Sequence, residues 1–480
     1  MTQAARAELV RLQAEAAPLE PDSGQRAALA AAAVDHVQHF LEALAEGPTY
    51  RSWKEAPAEP LDPEFQEEGR EAEAALAYLG RCVDRPGIAT ASGRFMGYVP
   101  GGGLFHSAIG DFLAAASNKY AGFAPAAPGA VRLENATTAW LARVIGFPAA
   151  AAGTLTSGGS MANLTAIVAA REARDEEGGG AVYLTRFAHH CIDKALRIAG
   201  RSRAPRRVIA TDERHRMRPD ALAEALERDS ADGVRPWLVV ASAGTVDTGA
   251  VDPLADIADL CERHRAWFHV DGAYGGLFML CEEGRRALAG IERADTVALD
   301  PHKTLFLPYG TGAVLARDGG TLLDAFSASA DYIRPFAETA VGPSPGDLSP
   351  ELTRHFRALR LWLPLQLAGV RAFRSAQSEK IALARYFHRR LSVLPGWEAG
   401  PAPDLSIVAF RYRPADGEAD AFNRRLLQRL QEEGRVFLSG TRIDGADWLR
   451  CAILSFRTHL DHVDELLSVL ARLAAELEAE

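Results

Sequence analysis

Short apolar runs alternate with helical patterns from residue 135 to residue 317, and this alternation restricts the chain to few folds. Helical patterns such as Pro219–Arg228 and Pro253–Arg265 separate the runs. Strands that alternate with helices form an α/β domain with a largely parallel sheet. Ligands of such sheets bind at the carboxyl ends of the strands, so the residues after each run are candidates for a site. The runs are Ala181–Leu184, Arg207–Ala210, Trp237–Ser242, Trp267–Val270, Thr296–Leu299 and Ala313–Ala316.

The sequence patterns at the two ends of the chain differ from the alternating pattern of residues 135–317. Near the N-terminus, helical patterns at 24–46 and about 64–83 flank a Pro-rich connector at 48–63. These helices have apolar faces, and the N-terminal region is too small to bury those faces by itself. We therefore expect the helices to pack on another subunit or along the main body. After residue 375 the pattern predicts a smaller strand-and-helix unit, with a helix at 376–391, strands at Ser406–Tyr412 and Trp448–Leu454, and a closing helix at 460–479.

Charge and cysteine content narrow the possible partners. The formal charge of −10 and the pI near 5.8 argue against nucleic acid or an anionic membrane as the main partner. Five cysteines without a CxxC pair predict free thiols in a reducing compartment and no metal site. We find neither a signal-peptide pattern nor an apolar run near the roughly 18 residues of a membrane span. We therefore expect a cytoplasmic protein that does not enter a membrane.

A glycine-rich turn, Gly158-Gly159-Ser160, stands immediately before the amphipathic pattern MANLTAIVAAREA. Small residues let the backbone approach an anion, and a helix N-terminus offers free N–H groups and positive partial charge to it. The alternative is a serine N-cap with a flexible lead-in. The turn alone does not decide between a phosphate site and a cap.

Three further strand ends carry polar residues. Asp271 ends the run WFHVDG, and a buried carboxylate there needs a cation or a strong donor as its partner. His189 and His190 begin a helical pattern, and Thr245 closes the segment SAGT after another run. Two of these have an ordinary alternative: Asp271 could cap a turn, and a histidine at a helix start is more often a cap or a satisfied polar residue.

Lys303 follows Asp271 by one helix and one strand, which brings the two residues to the same edge of the sheet. A lysine in a desolvated pocket has a lowered pKa and becomes a Schiff-base nucleophile. Pyridoxal phosphate needs a lysine for its aldehyde, an acid for its ring nitrogen and an anion cradle for its phosphate. The sequence supplies all three in one domain and therefore predicts a pyridoxal-phosphate site.

The chain resembles the group II decarboxylases, the family of pyridoxal-phosphate enzymes that includes aromatic-L-amino-acid decarboxylase. The resemblance implies an aspartate-aminotransferase-like α/β fold (fold type I) with a mixed, mostly parallel sheet. It also implies a homodimer with an N-terminal dimerisation segment at 1–85, a cofactor domain at 86–375 and a small C-terminal domain at 376–480. The matching segments are GYVPGG, Glu134, TSGGSMANL, HHCIDKA, SAGTVDTGAVDPL, HVDGAYGG, DPHK, ELTRHFRALRLW and WLRCAILSFRTHLDHVDEL.

The same resemblance implies a role for each matching residue. Lys303 would bond to the cofactor aldehyde, Asp271 would pair with the ring nitrogen, and Ala273 would leave room against one ring face. His189 would stack on the other face and meet the substrate carboxylate. The residues implied in holding the phosphate and other cofactor atoms are Gly159, Ser160, Met161, Thr245, Asp300 and His302, and those implied in touching the substrate are Gly101, Tyr98 and Tyr309.

Tyr332 matches the tyrosine of the family's mobile loop, which implies a proton donor to Cα after carbon dioxide is lost. The function implied is decarboxylation of a small L-amino acid, an aromatic one in the first place, to its amine. The alternatives are aldehyde-forming oxidative chemistry, a non-aromatic (diamino or acidic) substrate, and a protein that keeps the fold for binding without turnover. The family more often has phenylalanine at this position in the aldehyde-forming members, so Tyr332 favours the amine.

Two positions depart from the family pattern. Asp300 stands where asparagine is common, and Thr304 where tryptophan is common. A carboxylate near a phosphate would repel it, so we expect Asp300 to turn away or to pair with a nearby base. Together with Gly101, the loss of the tryptophan predicts a substrate pocket of altered shape.

Overall fold

The computed structural model describes residues 2–52, 67–174, 178–327 and 342–480. The chain divides into two compact units, Met1–Ala89 and Thr90–Glu480. Within the described ranges, no helix combines the length and the apolar character that a membrane crossing requires.

The N-terminal unit contains three helices and a small antiparallel ladder, in which Tyr50 pairs with Ile88. Helix α2 begins at a capping box, in which the Asp22 carboxylate accepts from the Gln25 N–H and the Gln25 side chain accepts from the Asp22 N–H. Apolar side chains such as Leu9, Val10 and Leu29 are exposed. The elements are α1 (Gln3–Glu15), α2 (Ser23–Ala43), β1 (Tyr50–Arg51), α3 (Ala72–Leu79) and β2 (Gly87–Ile88).

Helix α3 is shorter than the pattern at 64–83 predicted. It begins at Ala72, after Gly69, a residue that disfavours helix, and it ends in a π-helical turn at Gly80–Asp84. Most of the predicted connector at 48–63 lies outside the described residues.

The second unit is built on a seven-stranded sheet, which confirms the predicted α/β fold with a mixed, mostly parallel sheet. Five neighbouring strands run parallel in the order β8-β7-β6-β4-β5, and β9 and β3 continue the sheet beyond β8 in antiparallel pairs. The strands are β3 (Ala152–Thr156), β4 (Ala181–Thr185), β5 (Arg206–Ile209), β6 (Pro236–Ser242), β7 (Trp267–Gly272), β8 (Thr296–Leu299) and β9 (Gly312–Ala316).

Helices cover both faces of this sheet. Alternate residues of β4 and β6 enter different cores: Tyr183 and Val239 lie in one, and Val182 and Val240 lie in the other. Strands covered in this way are apolar along their whole length, as the runs in the sequence are. The helices are α4 (Phe105–Ser117), α5 (Pro128–Ile145), α6 (Gly159–Arg174), α7 (Cys191–Ile198), α8 (Pro219–Ala231), α9 (Leu254–His264), α10 (Glu282–Ala287), α11 (Pro301–Thr304) and α12 (Gly320–Phe326).

The last part of the chain forms a four-stranded antiparallel sheet in the order β10-β11-β13-β12, packed with helices. The helix predicted at 376–391 belongs to a longer helical segment. That segment starts at Ala358 and is interrupted at Gly369, whose φ is 75°. The elements are α13 (Ala358–Leu391), β10 (Trp397–Ala399), β11 (Ile407–Tyr412), α14 (Ala419–Glu433), β12 (Ser439–Ile443), β13 (Ala446–Ala452) and α15 (Leu460–Ala479).

A fully buried ion pair joins α5 to the segment before α13. The Arg354 Nη2 atom lies 2.8 Å from Glu134 Oε1, and neither side chain has exposed surface. Arg354 also donates to Thr154 Oγ1, and the same Glu134 oxygen accepts from the Leu155 N–H. Burial lowers the pKa of the Arg354 guanidinium, and Glu134 opposes that shift. The pair thus anchors the edge strand β3 to two other elements.

We predict that Arg354→Met lowers the free energy of unfolding by about 3–5 kcal/mol, because it leaves the Glu134 carboxylate buried without its cation. The measurement is chemical unfolding followed by circular dichroism. Arg286→Met is the matched control, since Arg286 pairs with Glu282 where the Arg286 side chain is 71% exposed. Equal unfolding midpoints for both variants would contradict the prediction.

Candidate active site

A cavity of about 290 Å³ lies at the carboxyl ends of the parallel strands. Residues that follow β3, β4, β6, β7 and β8 all contribute to its wall, as expected for a sheet of this kind. The lining residues are Ser157, Gly158, Gly159, Ser160, Met161, Asn163, Phe187, His189, Cys191, Ser242, Gly244, Thr245, Val246, Asp271, Ala273, Tyr274, Asp300, His302 and Lys303.

Lys303 enters the cavity from α11, the short helix after β8. Its Nζ atom lies 2.9 Å from Asp300 Oδ2, so Asp300 has the pairing with a base that its position suggested. Burial lowers the pKa of Lys303, but the charge and hydrogen bond of Asp300, together with the charge of Asp271, outweigh burial, and the net pKa is raised. The lowered pKa expected for this lysine is therefore wrong for the cofactor-free protein, because the expectation left out the neighbouring carboxylate.

Asp271 lies at the end of β7 with only 9% of its surface exposed. Its Oδ1 atom accepts a hydrogen bond from the Ala273 N–H at 3.2 Å. Ala273 lines the cavity beside it, and its methyl group is the smallest side chain short of glycine. A buried carboxylate facing a cavity is a suitable partner for a protonated ring nitrogen.

The cavity also has an anion cradle at the N-terminus of α6, a helix of 16 residues. The first N–H groups of a helix have no partner inside the helix and can donate to a phosphate. Gly158 has a φ of +155°, and a Cβ atom at Gly159 would lie 2.8 Å from Asp300 Oδ2 and 3.0 Å from the Ala273 Cβ. The close approach of these elements therefore requires glycine at position 159.

The residues of the cavity fit pyridoxal phosphate. The helix N-terminus can accept its phosphate, Asp271 its ring nitrogen and Lys303 its aldehyde. Asp300 Oδ1 is buried without a hydrogen-bond partner among the described residues, which leaves an acceptor free beside the lysine. A bound cofactor would supply the electron-withdrawing ring that weakens bonds at the substrate Cα.

His189 lies in the wall of the cavity just before α7. Its Nδ1 atom accepts a hydrogen bond from the Cys191 N–H at 3.2 Å. Burial lowers the pKa of His189, so the ring is neutral at physiological pH. A neutral imidazole whose Nδ1 is an acceptor carries its proton on Nε2 and can donate one hydrogen bond from there.

Two other predicted cofactor residues line the cavity with their own partners. Thr245 Oγ1 lies 2.8 Å from Thr248 Oγ1. His302 Nδ1 donates to the Thr311 carbonyl at 2.8 Å, and burial lowers the pKa of the ring. Both residues can still offer a group to a ligand, the Thr245 hydroxyl and the His302 Nε2.

Two of the predicted substrate residues, Gly101 and Tyr309, contact His302 of this cavity but do not line it. Gly101 is packed so closely on the backbone of His302 that a Cβ atom would fall 1.9 Å from the His302 carbonyl oxygen. Tyr309 contacts the His302 ring, with 5.7 Å between ring centroids, and 57% of Tyr309 is exposed. Tyr98 is 59% exposed and contacts Phe437. Tyr332 lies outside the described residues.

Thr304, which stands where the family commonly has tryptophan, is packed inside the protein next to Tyr274. It is fully buried, its hydroxyl donates to the Tyr274 carbonyl, and its own carbonyl accepts from Gln377 Nε2 at 3.2 Å. Thr304 is not among the described residues that line the cavity, and the altered pocket shape stays a prediction.

Asn163 and His269 were missed in the sequence, although both are buried and polar. Asn163 Nδ2 donates to the Gly159 carbonyl at 2.9 Å, and its Oδ1 lies 2.7 Å from His269 Nε2. His269 Nδ1 in turn lies 2.9 Å from Thr296 Oγ1. The chain of contacts joins the anion cradle to the strand that carries Asp271. Polar residues inside the apolar runs MANLTAIV and WFHV were the available signal.

The sheet topology and the lysine cavity define a pyridoxal-phosphate enzyme of the aspartate-aminotransferase type. Comparison with known families is more specific: residues 57–413 match the pyridoxal-dependent decarboxylase conserved domain. That match covers more than half of the 480 residues, so the chain belongs to this family, and the predicted membership is confirmed. The protein is a pyridoxal-phosphate-dependent amino-acid decarboxylase that acts on small molecules.

Three known proteins illustrate the similarity. An aromatic-L-amino-acid decarboxylase of Bacillus atrophaeus is 34% identical over 424 residues, which cover 87% of this chain and 88% of that protein. An L-2,4-diaminobutyrate decarboxylase of Rhizobium meliloti is 33% identical over 428 residues, which cover 87% and 85%. The crystal structure of Oryza sativa TDC with PLP and tryptamine has a TM-score of 0.90 at 26% identity, with 96% of this chain and 99% of that chain covered.

We predict that His269 makes the protein less stable as the pH falls from about 6.5 to about 4. Burial lowers the pKa of His269 from 6.5 to about 4, so in this interval the unfolded chain binds a proton that the folded chain does not. One such proton changes stability by at most about 1.4 kcal/mol per pH unit. The measurement is the thermal midpoint against pH for the wild type and His269→Gln, which should show a shallower slope.

The control for this prediction is His39→Gln, since the His39 side chain is 72% exposed. Its slope should equal that of the wild type. The assignment to His269 is wrong if His269→Gln keeps the full pH dependence.

Proposed function

We propose that the enzyme decarboxylates an L-amino acid with an aromatic side chain and releases the corresponding amine and carbon dioxide. The observation that supports this most directly is one cavity that contains Lys303, Asp271 and the N-terminus of α6. The Bacillus atrophaeus relative supports the aromatic substrate. The Rhizobium meliloti relative, almost equally similar, supports a diamino acid as the second candidate.

In this proposal Lys303 would hold the cofactor through its aldehyde and would be displaced there by the substrate amine. Asp271 keeps the ring nitrogen protonated, because its carboxylate is buried and favours a cation beside it. Gly159, Ser160 and Met161 at the start of α6 would hold the phosphate, together with Thr245 and His302. Ala273 and His189, which both line the cavity, would contact the two faces of the cofactor ring and restrict its rotation.

We assign to His189 the contact with the substrate carboxylate. Its neutral ring offers one N–H from Nε2, which orients a carboxylate without neutralising its charge. A carboxylate loses solvation when it moves from water into a largely buried site, whereas carbon dioxide is uncharged. The position of His189 therefore favours loss of the carboxyl group over simple retention of the substrate.

The substrate side chain would lie on the side of His302 where Gly101, Tyr98 and Tyr309 are found. Gly101 and Tyr309 both contact His302, one through its backbone and the other through its ring. The exposed ring of Tyr309 beside His302 offers flat apolar surface to an aromatic side chain. These contacts support an aromatic amino acid over a small polar one.

We further propose that the enzyme is a cytoplasmic homodimer in which the N-terminal segment, residues 1–85, covers a second copy. Exposed Leu9, Val10, Leu12, Leu29 and Val34 in this segment support an apolar contact. All five cysteines are buried and unpaired, which suits a reducing compartment.

We predict that the purified protein is yellow and that Lys303→Ala abolishes both the lysine-bound cofactor band and amine formation. The reason is that the ε-amino group is the covalent attachment point. The test incubates the wild type and Lys303→Ala with a panel of aromatic, diamino and acidic L-amino acids and follows carbon dioxide, amine and hydrogen peroxide together.

Lys194→Ala is the control for this experiment, because Lys194 lies on α7 and is not in the cavity wall among the described residues. It should keep both the band and the activity. Undiminished amine formation by Lys303→Ala would refute the role of this lysine. Faster turnover of a diamino acid than of any aromatic one would replace the first candidate substrate with the second.

We predict that Tyr332→Phe shifts the product from amine toward aldehyde and ammonia, since phenylalanine cannot donate the proton that Cα needs. The measurement is the ratio of amine to aldehyde under air, with hydrogen peroxide followed in parallel. An unchanged ratio would show that Tyr332 is not the proton donor.

A further inference from the structure

The carboxylate of Asp300 is buried at the end of β8, with 3% of its side chain exposed. Asp300 occupies the N-cap position of α11 without a capping hydrogen bond from its side chain, and Lys303 lies on the same helical turn, so their contact is local to one short segment. Oδ2 is bonded to Lys303 Nζ at 2.9 Å, whereas Oδ1 lies 3.7 Å from His302 Nδ1 and has no hydrogen-bond partner in the described ranges. One carboxylate oxygen of Asp300 is therefore hydrogen-bonded to Lys303, and the other has no hydrogen-bond partner among the described residues.

The other ionisable groups described around Lys303 cannot take the place of Asp300 as its ion-pair partner. Burial raises the pKa of the Cys191 thiol to about 12 and lowers the pKa of His189 and of His302, so these three are neutral near pH 7. Burial also raises the pKa of the Tyr309 hydroxyl, and Arg360, near His302, is a cation. Asp271 contributes a second negative charge but has no ion pair with the lysine among the described contacts. Among the described residues, Asp300 is thus the carboxylate that forms an ion pair with Lys303 Nζ.

We propose that Asp300 holds Lys303 as an ammonium ion whenever the lysine is not bonded to the cofactor. An ammonium nitrogen has no free electron pair, so it cannot attack an aldehyde or a substrate adduct. The carboxylate would keep the displaced lysine from returning while substrate occupies the cofactor. It would also slow the first attachment of the cofactor. This role rests on the proposed function and extends it to a residue that controls the protonation state of Lys303.

The proton balance needs no further reactant. When the lysine bonds to the aldehyde carbon, the ammonium gives up two protons, and the aldehyde oxygen leaves as water with both. One of these protons passes through Asp300 Oδ2, the atom already hydrogen-bonded to Nζ. When a substrate ammonium displaces the lysine, the lysine regains two protons from it, again with Oδ2 as the nearest acceptor, and the total charge is unchanged.

Asp300 also lies beside the anion cradle, where a Cβ atom at Gly158 would be 3.9 Å from Oδ1 and one at Gly159 would be 2.8 Å from Oδ2. A phosphate bound there is close enough to feel the carboxylate charge. Replacement of Asp300 could therefore act through the phosphate instead of the lysine. Pyridoxal, which has the aldehyde but no phosphate, separates the two effects.

The experiment measures the rate at which cofactor-free, full-length protein forms the lysine-bound absorption band between about pH 6 and pH 10. Pyridoxal and pyridoxal 5'-phosphate are used separately, with the wild type, Asp300→Asn and Asp300→Ser. Without the carboxylate more of the lysine is neutral, so both variants should react with pyridoxal about tenfold faster at pH 7, and their pH profiles should move to lower pH. Sodium borohydride reduction and peptide mapping would locate the adduct on Lys303.

Asp295→Asn is the matched control, because Asp295 is a largely buried carboxylate at the opposite end of β8, bonded to the Phe268 N–H at 2.8 Å. It should react like the wild type. A pyridoxal profile for Asp300→Asn and Asp300→Ser that coincides with that of the wild type overturns the proposal. A change confined to pyridoxal 5'-phosphate also overturns it, since Asp300 would then act on the phosphate alone.

The two proposals fail separately. A wild type that forms amine and whose pyridoxal profile is unaffected by Asp300→Asn refutes the role of Asp300 and leaves the decarboxylase function intact. A wild type that forms no adduct at Lys303 with either aldehyde refutes both.

Discussion

The parallel register of β7 and β8 is the constraint on which the site depends. In this register Asp271 pairs with Ala298 and Gly272 with Leu299, so the chain leaves β8 beside the acid and turns at once into the segment that carries Asp300 and Lys303. A slip of one residue would turn Asp271 to the other face of the sheet. The apolar residues of both strands resist such a slip, because Val270 and Val297 belong to one core.

The buried polar groups around the cavity are satisfied mainly by one another. Asn163 contacts the carbonyl of Gly159 at the anion cradle and the ring of His269 behind Asp271, so two walls of the cavity are held by the same amide. Leaving any one of these groups without a partner would cost about 1–3 kcal/mol, which favours their arrangement as a unit. The cavity is consequently held in shape before a cofactor arrives.

The sequence allowed the fold class, six of the seven strands near their observed bounds and the gathering of Lys303, Asp271 and Gly159 at one edge to be predicted, because all of these follow from periodicity and topology. The edge strand β3 was not predicted. The sequence did not reveal the break at Gly369, where a helical pattern continues through a residue that adopts a φ of 75°. Nor did it reveal that Thr304 turns away toward Tyr274, because the direction of a side chain on a four-residue helix depends on packing across the fold.

The sign of the Lys303 shift illustrates what sequence reasoning lacks. Burial alone predicts a neutral lysine, and a carboxylate at hydrogen-bonding distance reverses that prediction. The sequence shows Asp300 three residues before Lys303. It does not show that the turn at the start of α11 directs Asp300 Oδ2 to Lys303 Nζ rather than to solvent. A lysine that must alternate between a bonded and a free state gains from such a partner, because the free state is stabilised without any group having to move. The chemistry of the cavity is therefore set by the turn that joins β8 to α11 as much as by the lysine itself.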